Sequence, residues 1–489
     1  MTRAADLRGD GAPEPGSASP SSSGAAPSGP AGLGDALARV DAASPLVLAG
    51  RVTEVTGLVV RAAIPATRVG ELVWIETGRA GGDEPAHAPA SRARSAPPPI
   101  RVQAEVVGFR GDEVVLMPLG ESIGIGPDAL VRATGRPFTV RVGPGLLGRV
   151  LDGLGDPMDG GGPLATASGS SDGCDEWPVD RPAPDPLRRR RIERPLALGV
   201  RAIDGLLTVG EGQRVGLFAG AGAGKSTLLG QIARHTEADV NVICLCGERG
   251  REVSEFLEGA LGVDGRARSV VVCATSDAPS LVRLKSAFVA TAIAEWFRAQ
   301  GRRVLFMMDS LTRFARAQRE VGLAAGEPPT RQGYPPSVFA LLPRLLERTG
   351  NDQRGSITAL YNVLVTGGDM DEPIADEVRG ILDGHIVLSR ELAARNHFPA
   401  IDVPASLSRV MNAVVEPAHR QAAGRVRELL ATYAQKRDLI LLGGYRRGAD
   451  PRTDEAIARI DAIEAFLRQP TTEHAAFPDT RARLAELVE

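Results

Sequence analysis

The chain has 489 residues, 43% of them apolar, enough for the cores of about three ordinary domains. With 57 basic and 60 acidic residues the net charge is −3, and aromatic residues make up only 4%. That balance argues against a bulk nucleic-acid or membrane-surface binder, and the scarcity of aromatics argues against a stacking platform for single strands. No apolar run approaches ~20 residues, so no membrane-spanning helix is expected. The start, MTRAADLRGDGAPEPGS, has no apolar core and does not read as a signal peptide. Cys244 and Cys246 alternate along one predicted strand and read as reduced core thiols, because C-x-C without a second pair is a weak zinc signal. These features fit a soluble cytosolic protein.

Residues 1–41 are Ala, Gly, Pro and Ser with few large apolar side chains. They cannot bury enough surface to order, and a flexible tail is expected. Residues 42–143 change texture. LVLAGRVTEVTGLVVRAAI, ELVWIE, RVQAEVVGF, EVVLMPL, ALVRAT and FTVRVG are short β-rich runs punctuated by Gly, Pro and Asp. They predict a small antiparallel barrel or sandwich, with residues 78–99 as a loop insertion that contains His87. GLLGRVLDGLGDPMDGGGPL then reads as turns, and SGSSDGCDEW as a loop extension. The run of arginines at 188–191 reads as a solvated or subunit-facing strip rather than a nucleic-acid patch, since no aromatics interleave with it.

Residues 144–413 form the predicted core. RVGLFA, VNVICLC, SVVVCAT, RRVLFMMD, SITALYNVLV and HIVLS read as strands, and stretches such as PSLVRLKSAFVATAIAEWFRAQ as helices. This alternation predicts a mostly parallel α/β sheet covered on both faces. Residues 414–489 keep only helical periodicity and predict a small helical domain.

The core's first strand runs into AGAGAGKST and then a helical pattern. Strand, glycine loop and Lys-Ser at a helix start are the context of a phosphate-binding P-loop. In Gly220, Ala221, Gly222, Ala223 and Gly224 the small residues let backbone N–H groups wrap phosphate oxygens. Lys225 is placed to reach the terminal phosphates, Ser226 to hold Mg²⁺, and Thr227 follows on the helix. Ala219 stands where the usual pattern has its first glycine. VLFMMD ends in Asp309, an acid suited to the water shell of Mg²⁺. CGERGREV follows the second strand, and its Glu248 is suited to orient and activate water. Arg249, Arg251 and Glu252 complete a charged cluster.

AGAGAGKST, CGERGREV, FMMDSLTRFARAQRE, GYPPSVFALLPRLLER, DEPIADEVRGILDGHIVLSR and HFPAIDVPASLSR occur in this order. Together they resemble the ATPases of type III protein secretion, the injectisome and flagellar export enzymes related to the catalytic beta subunit of rotary ATP synthases. The similarity runs over roughly residues 45–480, and GGDMDEPIADEVRGILDGHIVLSRELAARNHFPAID looks more like the injectisome branch than the flagellar one. The resemblance implies a small N-terminal β-barrel, a central RecA-like α/β P-loop domain and a helical C-terminal domain. It implies Mg-ATP hydrolysis by a homohexamer with nucleotide at subunit interfaces. By motif match, Lys225 and Ser226 grip phosphate and Mg²⁺, Glu248 is the catalytic base, and Arg249 falls beside the phosphates. Glu252 and Asp309 fall around the metal, and Phe398 and Pro399 match the adenine platform. Phe477 is matched to the opposite adenine wall, although Thr471 stands where the beta subunit has an aromatic. Arg409 matches the finger that enters the neighbouring subunit's site. In TGGDMDEP, Thr366 and Gly368 replace acids that relatives carry, while Asp369 remains.

The implied partners are a central stalk protein, a peripheral stator or regulator, chaperone–effector complexes and the export gate, with no nucleic acid. The implied location is the cytoplasm, peripheral at the inner face of the inner membrane. Two rival readings share the core. A non-catalytic synthase subunit would lack the glutamate at 248. An RNA translocase would need an aromatic barrel, whereas this one offers only Trp74, Phe109 and Phe138.

Overall fold

Alternation decides the first domain. In Val59–Ala63 and Leu130–Pro137 successive side chains face opposite ways: Val60, Ala62 and Val131 point inward, while Arg61, Arg132 and Thr134 lie on the other face. The apolar set (Val60, Ala62, Val73, Ile75, Ala104, Val106, Leu116 and Val131 among it) forms a dry interior. Ala49–Thr56, Val59–Ala63, Glu71–Glu76, Arg101–Arg110, Glu113–Pro118 and Leu130–Pro137 surround it as a closed antiparallel barrel. Closure, which a sandwich lacks, removes the unpaired edges. The computed structural model describes residues 49–77, 100–127, 129–165 and 173–489. The expected tail 1–41 and the insertion 78–99 with His87 lie outside those residues.

Two local expectations need correction. FTVRVG is not a barrel strand, because Thr139–Val142 pairs with Asp175–Pro178 in a separate two-stranded sheet. Asp175–Pro178 in turn lies in SGSSDGCDEW, read above as loop; residues 168–172 of that stretch are outside the described residues. The physical reason is burial. Val140, Val142 and Cys174 belong to the apolar core of the central domain, and Trp177 packs against it.

The central sheet runs, in spatial order, Ile401–Ser408, Gly384–Leu388, Arg214–Ala219, Ser356–Leu364, Arg303–Asp309, Val240–Glu248, Ser269–Thr275 and Val150–Asp152. All neighbours on this path are parallel except the first pair. Along each inner strand the side chains divide between two cores. Cys244, Cys246, Phe306 and Met308 enter one, and Ile243, Leu245, Leu305 and Met307 the other. That is why these strands read as unbroken apolar runs. Val150–Asp152 and Ile401–Ser408 were not recognisable as strands. The former sits among turn residues and is pinned by Asp159, whose carboxylate accepts from Arg149 Nε at 2.9 Å and from the Val150 N–H at 2.9 Å. All four cysteines are free and buried.

One buried ion pair ties the helices together. Arg348 and Glu295 face each other with Nε–Oε1 2.8 Å and Nη2–Oε2 2.7 Å, and Arg348 also donates to the Val179 carbonyl at 2.8 Å. Such a pair survives burial because both hydrogen bonds of the fork are made. In the arginine run, Arg189 donates to the Thr349 carbonyl at 2.8 Å and Arg190 to that of Asp352 at 3.0 Å, so these two side chains serve as fold contacts.

The C-terminal helices are Pro417–Leu441, Pro451–Leu467 and Phe477–Glu486. Their seam with the core centres on buried Arg201, which donates to the Phe466 carbonyl at 2.9 Å and pairs with Glu473. Among the described residues no helix is long and apolar enough to cross a membrane.

Candidate active site

Because the sheet is parallel, Ala219, Leu364, Asp309, Glu248 and Thr275 all end on its carboxyl edge, where α/β sheets bind ligands. Ala219 is still in the strand, paired with Leu364 and Leu388, so a methyl is tolerated there. The turn proper begins at Gly220. Gly222 and Gly224 adopt φ of 82° and 80°, a left-handed conformation that glycine enters without strain. Gly224 then caps the helix Lys225–His235, whose free N–H groups face the loop.

Lys225 is the hub of the charged cluster. Its ammonium lies 2.8 Å from Asp309 Oδ1 and 3.5 Å from Glu248 Oε1. The loop therefore meets the ends of two other strands at one cation. Two further residues join them. Arg313 Nη2 donates to Glu248 Oε2 at 3.0 Å, and Asn362 Nδ2 donates to Asp309 Oδ1 at 2.6 Å. Neither was singled out from sequence. Arg313 lies one helical turn beyond Asp309, and Asn362 is a lone amide inside the apolar run SITALYNVLV, patterns that do not by themselves name a partner.

Burial pushes the Glu248 carboxyl up to about 8, and the nearby negative charge of Asp309 and the Glu252 carboxylate act in the same direction. Lys225 and Arg313 oppose the rise. Glu252 moves the other way: its hydrogen bond with Glu248 holds it below the ordinary carboxylate value. A carboxyl raised toward neutrality is, once ionised, a stronger base toward water than an ordinary carboxylate.

The residues put forward for the metal have the right chemistry. Ser226 and Glu252 line one cavity of about 320 Å³, and Asp309 reaches the same Lys225 that Ser226 follows. Among the described residues no group of three or more His, Cys, Asp or Glu forms a closed metal cage. Mg²⁺ on a nucleotide needs none, since it takes one or two hard protein oxygens, phosphate oxygens and water.

Residues 199–408 match the ATP synthase alpha/beta family, nucleotide-binding domain. Residues 52–135 match the beta-barrel domain of that family, and residues 415–486 match the T3SS EscN ATPase C-terminal domain. A type 3 secretion system ATPase of Xanthomonas euvesicatoria is 61% identical over 79% of this chain and 86% of its own. The chain belongs to the type III secretion and flagellar export ATPase family. A flagellum-specific ATP synthase of Bacillus subtilis is 50% identical over 90% of this chain and 94% of its own. The assembled ATPase EscN of enteropathogenic E. coli superposes with a TM-score of 0.80 at 45% identity, covering 90% of this chain and 100% of that one. The nucleotide this ATPase binds and hydrolyses is therefore ATP, and the barrel, mostly parallel central sheet and helical C-terminal region are those of the family.

The remaining expected residues of this type III secretion ATPase fall at different distances from the cluster. Phe398 is brought to it: a methyl placed on Gly224 would lie 3.3 Å from the Phe398 ring. Pro399 follows in the same turn. Arg249 is not drawn to Lys225; its largely exposed guanidinium pairs with Glu252 at 3.5 Å. Phe477 is not brought to the P-loop either. Its ring packs against His419 at 5.9 Å within the C-terminal domain, and the wall beside Ser226 and Thr227 is Thr471, whose carbonyl accepts from Arg234 at 2.8 Å. The reason is local: Phe477 opens the last helix, Phe477–Glu486, and its packing on the neighbouring helix turns it away. Arg409 is exposed, its guanidinium making one hydrogen bond, to the Arg379 carbonyl at 3.4 Å, and among the described residues no carboxylate pairs with it.

Proposed function

We propose that this ATPase works as a homohexamer of the injectisome branch, hydrolysing ATP at sites completed by the neighbouring subunit. The observation that carries the shared site is Arg409, an exposed cation with no carboxylate partner among the described residues of its own chain. EscN is described as an assembled ATPase and in complex with its central stalk EscO, which supports the hexamer and a stalk for this chain. The 61% identity to a type 3 secretion system ATPase, against 50% to the Bacillus flagellar enzyme, supports the injectisome branch.

In this reading Lys225 and the N–H groups of residues 220–227 hold the β- and γ-phosphates. Phe398 and Pro399 support the adenine, and Arg249 swings from Glu252 to the phosphates. Glu248 orients the attacking water and takes its proton as the water oxygen bonds to the γ-phosphorus and the bond to ADP breaks. Ser226 and Asp309, with Glu252 beside them, would hold Mg²⁺, which neutralises phosphate charge when bound. Arg409 of one subunit completes the clamp on the γ-phosphoryl held by the next. The work done is release of chaperones and unfolding of export substrates at the gate, on the cytoplasmic face of the inner membrane, with a peripheral stator or regulator.

The test of the shared site is complementation in vitro. Arg409→Ala and Glu248→Gln proteins are each expected to be inactive, with loss of the finger costing on the order of 10³-fold in rate. Mixed and reassembled, they regain activity, because some interfaces pair an intact Glu248 with an intact Arg409. A mixture as inactive as its parents, with mixed hexamers confirmed by gel filtration, would refute the shared site.

A further inference from the structure

We infer that Arg390 is a positioning residue for the phosphate loop, a role that rests on reading residues 220–227 as the ATP phosphate site. The sheet puts it there. Gly384–Leu388 runs parallel to the P-loop strand with Leu388 beside Ala219, so the two chains leave the sheet together, one into Gly220 and the other into Ser389 and Arg390. Ser389 caps the next helix, Arg390–Ala394, by accepting from the Leu392 N–H at 3.3 Å, which fixes the direction in which Arg390 starts.

The guanidinium is in close contact with the loop. A methyl placed on Gly220 would meet Arg390 Nε at 2.5 Å, Nη2 at 2.8 Å and Cζ at 2.9 Å. Nε and Nη2 come nearest, so the Nε–Nη2 side of the guanidinium covers the Gly220 Cα. Any side chain at 220 would displace it, so Gly220 is explained by Arg390 and not by its own backbone conformation. Arg390 is exposed, and among the described residues it makes no ion pair or side-chain hydrogen bond. An arginine that rests on a phosphate loop without a carboxylate keeps its full charge for an anion.

The same segment holds the loop at its other end. Phe398, eight residues on, covers Gly224, while Arg390 covers Gly220. The stretch from Arg390 to Phe398 therefore grips both ends of the turn that binds phosphate. Arg390 braces the first half of the turn and adds positive potential beside the phosphates. It acts before the chemical step, on binding and seating of the triphosphate.

The test uses the full chain with Arg390→Gln, Gly220→Ala and the double variant, measuring KM and kcat for ATP across ionic strengths. Lys225→Ala, assayed with a fluorescent ATP analogue, is the reference for the site itself. Arg390→Gln should raise KM about 5- to 10-fold with kcat within about 2-fold, and flatten the rise of KM with salt, because one cation near the anion is gone. Gly220→Ala should raise KM similarly by displacing the guanidinium, and the double variant should be no worse than either single one, since both remove one contact. An unchanged KM and salt slope in Arg390→Gln overturns the inference, as do effects that add in the double variant. If Lys225→Ala binds the analogue as tightly as the parent, the phosphate-site reading itself fails, and the Arg390 results then count against a different premise.

Discussion

A group that accepts a proton from attacking water near neutral pH must sit close to other charges without being neutralised by them. Glu248 meets that condition through opposed neighbours: Lys225 and Arg313 favour its anion, while burial, Asp309 and Glu252 favour its acid. Glu248→Gln keeps the shape and most hydrogen bonding but loses the carboxylate. ATP should bind nearly as before, and turnover should fall by roughly 10² or more. Parallel measurement of analogue binding and phosphate release decides the point: a variant that still turns over at near-parent rates leaves no catalytic role for Glu248. The sequence made this residue legible because it ends an apolar strand inside a charged motif. It did not make Arg313 or Asn362 legible as members of the cluster, since each acts through a side chain that only the packed sheet brings to Glu248 or Asp309.

At the scale of elements, the edge strand Val150–Asp152 shows how a turn-rich stretch is fixed by one carboxylate. Asp159 receives both Nε and Nη2 of Arg149 at 2.9 Å and the N–H groups of Val150 at 2.9 Å and Gly161 at 3.0 Å. The hydrogen bonds of Arg149 hold its carboxyl far below the usual carboxylate range. A carboxyl lowered in the folded state stabilises the fold above its unfolded value, near pH ~4, and loses that contribution as pH falls toward the folded value. Asp159→Asn should therefore melt below the parent protein at pH 7. The gap between the two should be constant down to about pH 5 and shrink below about pH 4. Thermal melts between pH 3 and 7 test this; a gap of constant size over the whole range would show that Asp159 contributes by shape alone.

For the whole molecule, the decisive property is that one chain carries Lys225, Glu248 and Asp309 together but leaves Arg409 at an exposed end of a strand. If a neighbour completes the site, specific activity is a property of the assembly. It should rise with protein concentration until hexamers saturate and then level off, because assembly by mass action creates the sites. Specific activity that stays flat from dilute monomer to full hexamer, with the species followed by light scattering, would mean that each chain works alone. The seam at Arg201 joins the C-terminal helices to the ATPase core through buried hydrogen bonds, and the Gln469 N–H reaches the Phe398 carbonyl at 2.9 Å. The Phe398 turn and the C-terminal domain are thus joined by a backbone hydrogen bond.

What the sequence determined by itself was whatever is contiguous or periodic. The P-loop is eight neighbouring residues, 220–227, whose chemistry depends on backbone freedom and one lysine, so it can be read in a line. Glu248 and Asp309 stand at the ends of apolar runs, and strand ends on a parallel sheet share one edge. The barrel could be read as closely spaced alternating strands, but its closure could not, because closure depends on which strands pair. Tertiary structure alone decided the rest. Lys225 meets Asp309 across 84 positions of chain, a distance that no local pattern encodes. The resemblance matched Phe477 to an adenine wall, yet its ring packs on His419, and it is Thr471 that lines the cavity beside Ser226 and Thr227. Thr139–Val142 looked like barrel because strand pattern reports alternation and not destination; the apolar core that Val140 and Val142 enter is the central domain's. Local chemistry writes itself into neighbouring residues, whereas the partner of a side chain is chosen by the packing of elements far apart in the chain.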